Sequence, residues 1–113
     1  MPYINIKTNK RVTLFGEASL ITKLGHRIEL FPGKNERWLM VNIDDECRMA
    51  FAGTKDGCAM IEVKLFGVPD VRACDKFTEA VTKDVAELLS ISPDRIYVKY
   101  EGCTLWGAGG THF

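Results

Sequence analysis

Apolar and polar side chains alternate along Tyr3-Ile4-Asn5-Ile6-Lys7-Thr8, the period of a strand with one buried face. From about Gly16 to Phe31 the period changes. Leu20, Leu24, Ile28 and Phe31 fall on one helical stripe, and Pro32-Gly33 ends it. A second strand is predicted at about Trp38–Asp44. The pattern then recurs, with a strand at about Cys58–Phe66, a helix at about Val71–Leu89 and, after the turn Ser92-Pro93-Asp94, a strand at about Arg95–Glu101. Met49-Ala50-Phe51 predicts a further small strand, and the glycine-rich tail Leu105–Phe113 has too little aliphatic content for a core element.

A shift of 57 residues superimposes the two halves. Ile4 and Ile6 fall on Ile61 and Val63; Leu20, Leu24 and Ile28 on Phe77, Val81 and Val85; Leu39, Val41 and Ile43 on Ile96, Val98 and Tyr100. The chain therefore reads as one βαβ unit written twice, about residues 2–57 and 58–113 of a single domain, 1–113. The expected fold is α/β (α+β). Both crossovers should be right-handed, giving a four-stranded mixed sheet with two helices on one face. That face carries Ile4, Ile6, Leu39, Val41, Ile43, Ala59, Ile61, Val63, Leu65, Ile96 and Val98. The other carries Tyr3, Asn5, Trp38, Met40, Asn42, Cys58, Met60, Glu62, Phe66, Tyr97 and Lys99. It is too aromatic for open water and too polar for a core, so it is expected to meet another subunit or line a site.

Composition narrows the function. Lys plus Arg and Asp plus Glu both number 15, so no net field gathers phosphates, and neither nucleic acid nor a membrane is an expected partner. Cys47, Cys58, Cys74 and Cys103 form no C-x-x-C and stand at no ligand spacing to His26 or His112. Buried, reduced thiols are expected, with no metal. With no signal-peptide pattern and no apolar run of spanning length, the expectation is a cytoplasmic protein.

The candidate chemistry lies at Pro2. A proline after the initiator favours removal of Met1, which would leave a secondary amine at the head of a strand. A free α-amino group titrates near ~8. Burial in an apolar pocket that brings it to ~6 would make ~90% of it available as a base at neutral pH. Retention of Met1 would make that nitrogen an amide without basicity.

Met-Pro at the start, Gly33-Lys34, Met49-Ala50-Phe51-x-Gly53, Cys58-Ala59 leading to Phe66-Gly67, Ile91-Ser92-Pro93-Asp94-Arg95-Ile96-Tyr97 and the tail Leu105–Phe113 together resemble the macrophage migration inhibitory factor family. The resemblance implies a tautomerase-like fold assembled as a homotrimer, with active sites between subunits. It also implies a cofactor-free keto–enol tautomerase (an isomerase) acting on aromatic 2-oxo acids of the phenylpyruvate type. In that scheme Pro2 is general base and then general acid. Lys34 holds the substrate carboxylate, and its charge lowers the Pro2 pKa. Phe66 offers a backbone N–H. Trp38 and Tyr97, the latter from a neighbouring subunit, form apolar walls, and Phe113 closes the pocket from the tail.

The chain departs from the family pattern at three places. Lys99 replaces a neutral asparagine and would suit a dianionic substrate or the enolate oxygen. Ala108 replaces a tryptophan, with Trp106 two residues earlier, so one wall is thinned or moved. The partner position of Cys58 in the family's C-x-x-C is Ile61, which removes support for thiol oxidoreductase chemistry. The alternative function implied by the resemblance is a cytokine-like protein, secreted without a signal peptide, that binds a host receptor and keeps a vestigial pocket.

Overall fold

Strand β1 (Pro2–Thr8), with Ile4, Ile6 and Thr8 buried, is an inner strand of the sheet. In the computed structural model, which describes all 113 residues, it pairs in parallel with β2 (Met40–Asp44) and antiparallel with β3 (Ala59–Phe66). β4 (Ile96–Cys103) runs parallel to β3, giving the order β2-β1-β3-β4, a mixed sheet as expected.

Helix α1 (Leu14–Arg27) starts at Thr13, whose hydroxyl accepts from the Gly16 N–H at 3.0 Å. Its last turn, with His26 and Arg27, suits the negative end of the helix dipole. The predicted helix reached Phe31; instead Ile28–Leu30 tightens into a 3₁₀ turn before Pro32. Helix α2 (Val71–Leu89) has the predicted bounds. The Asp70 carboxylate caps it by accepting from Arg72 and Ala73, and Ser90 ends it in the left-handed region at φ 54°.

Between the sheet and both helices lie Ile4, Ile6, Ile61, Val63 and Leu65 against Leu20, Leu24, Ile28, Phe77, Val81 and Val85, all at most 2% exposed. Phe31, Phe77 and Tyr100 close the core with ring centroids 5.2–6.3 Å apart. The helices are also tied by one half-buried ion pair. Arg27 grips both oxygens of Asp84 at 2.8 and 3.0 Å.

Three expectations need correction. Trp38 does not open β2: Glu36–Trp38 is a 3₁₀ turn because the Asn35 side chain accepts from the Arg37 N–H, and the strand begins at Met40. Cys58 does not face outward. It is buried ahead of β3, its N–H donating to Asn9 and its carbonyl accepting from the Thr8 hydroxyl. The small strand near Met49-Ala50-Phe51 is a single bridge, Phe51 to Thr54. The tail, for its part, folds into a minimal hairpin of β5 (Gly107–Ala108) and β6 (Thr111–His112). Gly109 and Gly110, at φ 58° and 84°, supply the two left-handed residues that a two-residue hairpin turn requires.

Candidate functional site

Pro2 is buried at the head of β1, opposite Leu65 of β3, and β3 continues one residue beyond it. The Phe66 N–H therefore meets the carbonyl of Met1, at 3.2 Å. Phe31-Pro32-Gly33-Lys34 forms a tight turn: the Lys34 N–H donates to Phe31, and Gly33 takes the positive φ of 76° that follows proline in a type II turn. The turn aims Lys34 back at the N-terminus. Its ammonium donates to the Phe66 carbonyl at 3.1 Å. The amine of Met1 titrates below its usual range, chiefly because burial penalises the cation and then because Lys34 stands beside it. Three separate segments thus bring together a terminal amine, a backbone donor and a lysine.

The hairpin completes one side. The Phe113 N–H donates to the Trp106 carbonyl at 2.7 Å, and the Phe113 ring stands 6.3 Å from that of Phe66. Trp106 and Trp38 both line a hollow of ≈ 510 Å³, together with Pro2, Tyr3 and Met40. Gly107, Ala108 and Gly109 line it too, so the small side chain of Ala108 leaves space in its wall. A separate, smaller hollow of ≈ 270 Å³ is lined by Lys34, Leu65, Phe66 and Asp70 and does not include Pro2.

Of the residues chosen from sequence, Pro2, Lys34, Phe66, Trp38, Trp106 and Phe113 converge within one chain. Tyr97 and Lys99 do not. Pro2 lies across from Leu65, which lies across from Gly102, and Tyr97 and Lys99 are five and three residues up β4 from that level. At the rise of a strand this is roughly 17 and 10 Å. Tyr97 packs edge-on against Phe51 at 5.0 Å, and Lys99 pairs with Glu101 at 3.3 Å. Lys64, which also lines the larger hollow, was missed. The signal was available: it shares the even-numbered face of β3 with Glu62 and Phe66.

The family model described as Macrophage migration inhibitory factor (MIF) matches residues 1–111. The chain belongs to the macrophage migration inhibitory factor family. Among its relatives, macrophage migration inhibitory factor of Meriones unguiculatus is 27% identical over 100 residues, 88% of this chain and 86% of that protein. The Brugia malayi homolog has the same identity and coverage. Among solved structures, the Prochlorococcus marinus homologue superimposes with a TM-score of 0.87 at 29% identity over 98% of each chain. Leishmania major MIF2 reaches 0.94 at 23% identity over 100% of this chain and 97% of that one. Two helices on a β2-β1-β3-β4 sheet are thus the fold shared with these macrophage migration inhibitory factor structures.

Proposed function

We propose that the protein is a cofactor-free keto–enol tautomerase of aromatic 2-oxo acids, with Pro2 as the proton carrier once Met1 is removed. The observation that carries this is the convergence of Pro2, Lys34 and the Phe66 amide. Loss of Met1 would release three groups together. The nitrogen of Pro2 becomes a secondary amine in a buried position beside a cation, conditions that hold such an amine unprotonated. The Phe66 N–H loses its partner and becomes a donor for an incoming carboxylate or enolate oxygen. The Lys34 ammonium loses its neighbouring amine and becomes a counter-charge for the carboxylate. Pro2 then takes a proton from C3 of the 2-oxo acid and returns one to the other end of the enol, while Trp38, Trp106 and Phe113 hold the ring.

Assembly as a homotrimer fits the same reading. Met40 and Tyr97 lie 66% and 61% exposed on the open face of the sheet, a surface that a neighbouring sheet would cover, and that neighbour would supply Tyr97. The test is an intact mass of the purified chain followed by enol formation from phenylpyruvate. The expected result is loss of Met1 and activity that falls at least a hundredfold in Pro2→Gly. A drop of only a few-fold, or full activity with Met1 in place, refutes the mechanism.

A receptor-binding role draws on a different surface. Leu14 and Phe15, 84% and 81% exposed at the start of α1, form an apolar contact point independent of Pro2. Receptor binding that survives Pro2→Gly and is lost in Phe15→Asp would support it.

A further inference from the structure

Lys64 is a cation without a partner. The ion pairs of the chain are Lys7–Glu62, Arg27–Asp84 and Lys99–Glu101, and Lys64 belongs to none. Its neighbours across the sheet are Tyr3 and Glu101, and the Glu101 carboxylate is engaged by Lys99. It nevertheless lines the hollow beside Pro2, whose other walls are aromatic, apolar or backbone and include no acidic side chain. An ammonium among such walls is set to receive an anion, because no carboxylate of the hollow competes for it.

The spacing suits a particular kind of ligand. Lys64 and Phe66 stand two residues apart on one face of β3, roughly 7 Å along the strand, and the Lys34 ammonium rests on the Phe66 carbonyl. The Lys34 ammonium stands beside the N-terminal amine and Lys64 shares a hollow with Pro2, so a short carbon chain with an acidic group at each end can meet both cations with its reacting carbon at the proline. We propose that Lys64 is a specificity-determining residue that selects 2-oxo acids carrying a second carboxylate at the end remote from the reacting carbon. Lys34 takes the carboxylate next to the ketone and Lys64 takes the distal one. This rests on the tautomerase reading for its chemistry but not for the existence of the anion site.

The test compares 2-oxoglutarate with 2-oxovalerate, which has the same number of carbons but lacks the distal carboxylate. The readout is exchange of C3 protons in deuterated water, followed by NMR, with phenylpyruvate as a third substrate. The wild type is expected to favour 2-oxoglutarate by tenfold or more in kcat/KM. Lys64→Met should erase that preference, and Lys64→Arg should keep most of it. No preference in the wild type, or a parallel fall on all three substrates in Lys64→Met, overturns the proposal, since a merely structural lysine would act on them alike. Glutarate, which has no ketone, separates the two readings: its binding is followed by quenching of Trp38 and Trp106 fluorescence. Quenching that disappears in Lys64→Met in a protein inactive on all three 2-oxo acids sustains the anion site and refutes the tautomerase. Absence of quenching in the wild type overturns the anion site.

Discussion

Replacing Arg27 by methionine removes a guanidinium while keeping most of its apolar stem. It leaves the carboxylate of Asp84, 4% exposed between the two helices, with neither of its bonds at 2.8 and 3.0 Å. Orphaning one member of a fully buried ion pair costs about 3–5 kcal/mol. Here the arginine side is 37% exposed, so water can enter where the guanidinium was, and the expected cost is nearer 2–3 kcal/mol. Asp84→Leu should cost less, about 1 kcal/mol, since the freed guanidinium can turn outward and the leucine can pack against its apolar neighbours. In the double variant no charge is stranded. It should be more stable than Arg27→Met alone, with a coupling of roughly 1–2 kcal/mol. Equilibrium unfolding in urea at pH 7, followed by far-ultraviolet circular dichroism, measures all four proteins. Protomer concentration is held fixed so that any association affects each alike. For a domain of this size, 2–3 kcal/mol corresponds to a fall in Tm of about 10 °C. Additive variants, or an Arg27→Met cost below that of Asp84→Leu, would refute the claim that the buried carboxylate dominates this site.

Tyr100 is pushed up to about 12, chiefly by burial, while its hydroxyl bonds with Thr78 and donates to the Cys74 carbonyl. The unfolded chain releases this proton near ~10. Between pH 10 and 12 it is therefore the folded state that binds the extra proton, and stability falls as pH rises. After allowance for partial exposure the loss is about 1–2 kcal/mol, measured as a steeper alkaline limb of stability that Tyr100→Phe flattens. Gly102→Ala places a methyl group 2.5 Å from the Gly67 carbonyl and 2.7 Å from Pro69, which must move because both belong to the adjoining segment. A loss of about 1–3 kcal/mol is expected in urea unfolding, together with weakened substrate binding through the displaced Phe66 peptide. Lys34→Met should raise KM for phenylpyruvate roughly 10- to 100-fold, the worth of one charged hydrogen bond. Since it also removes a cation beside Pro2, it should shift the acid limb of the rate–pH profile to higher pH.

The alternation and the helical stripe were sufficient for the order, type and pairing faces of the main elements, because burial of one face dictates both periods. Tertiary hydrogen bonds decided what the pattern did not. Asn35 diverted Trp38 into a turn, and Asn9 and Thr8 drew Cys58 inward. Asn5 faces the open side as its position requires, yet it is only 7% exposed, since its amide bridges Asn42 and Glu62. In the site, local signals sufficed where the positioning is local: Pro32-Gly33 aims Lys34, and Gly109-Gly110 returns Phe113 to Trp106. Tyr97 and Lys99 were chosen by resemblance alone, and nothing local in the sequence ties them to Pro2, which lies several residues away along the sheet.

The 57-residue shift explains why Lys64 stands free. A residue that touches its own repeat equivalent must lie on the axis relating the two halves, and two pairs do so: Asn5 with Glu62 and Arg27 with Asp84. Identical halves would place like charges together there, so the axis is where the units must diverge, whereas apolar positions such as Leu24 and Val81 can remain alike. That divergence reaches the flanking lysines. Lys7 and Lys64 are equivalent under the shift, and each lies diagonally across the β1–β3 ladder from one member of the axial pair. Lys7 finds the carboxylate of Glu62, at 3.9 Å; the equivalent neighbour of Lys64 is the neutral Asn5. The position equivalent to Pro2 is Ala59, in mid-chain, so only the first half can present a terminal amine. The unpaired cation and the N-terminus therefore meet at the same end of the β1–β3 ladder, where Pro2 faces Leu65 and Tyr3 faces Lys64. The asymmetry that keeps the axis stable also leaves a positive charge beside the N-terminal proline.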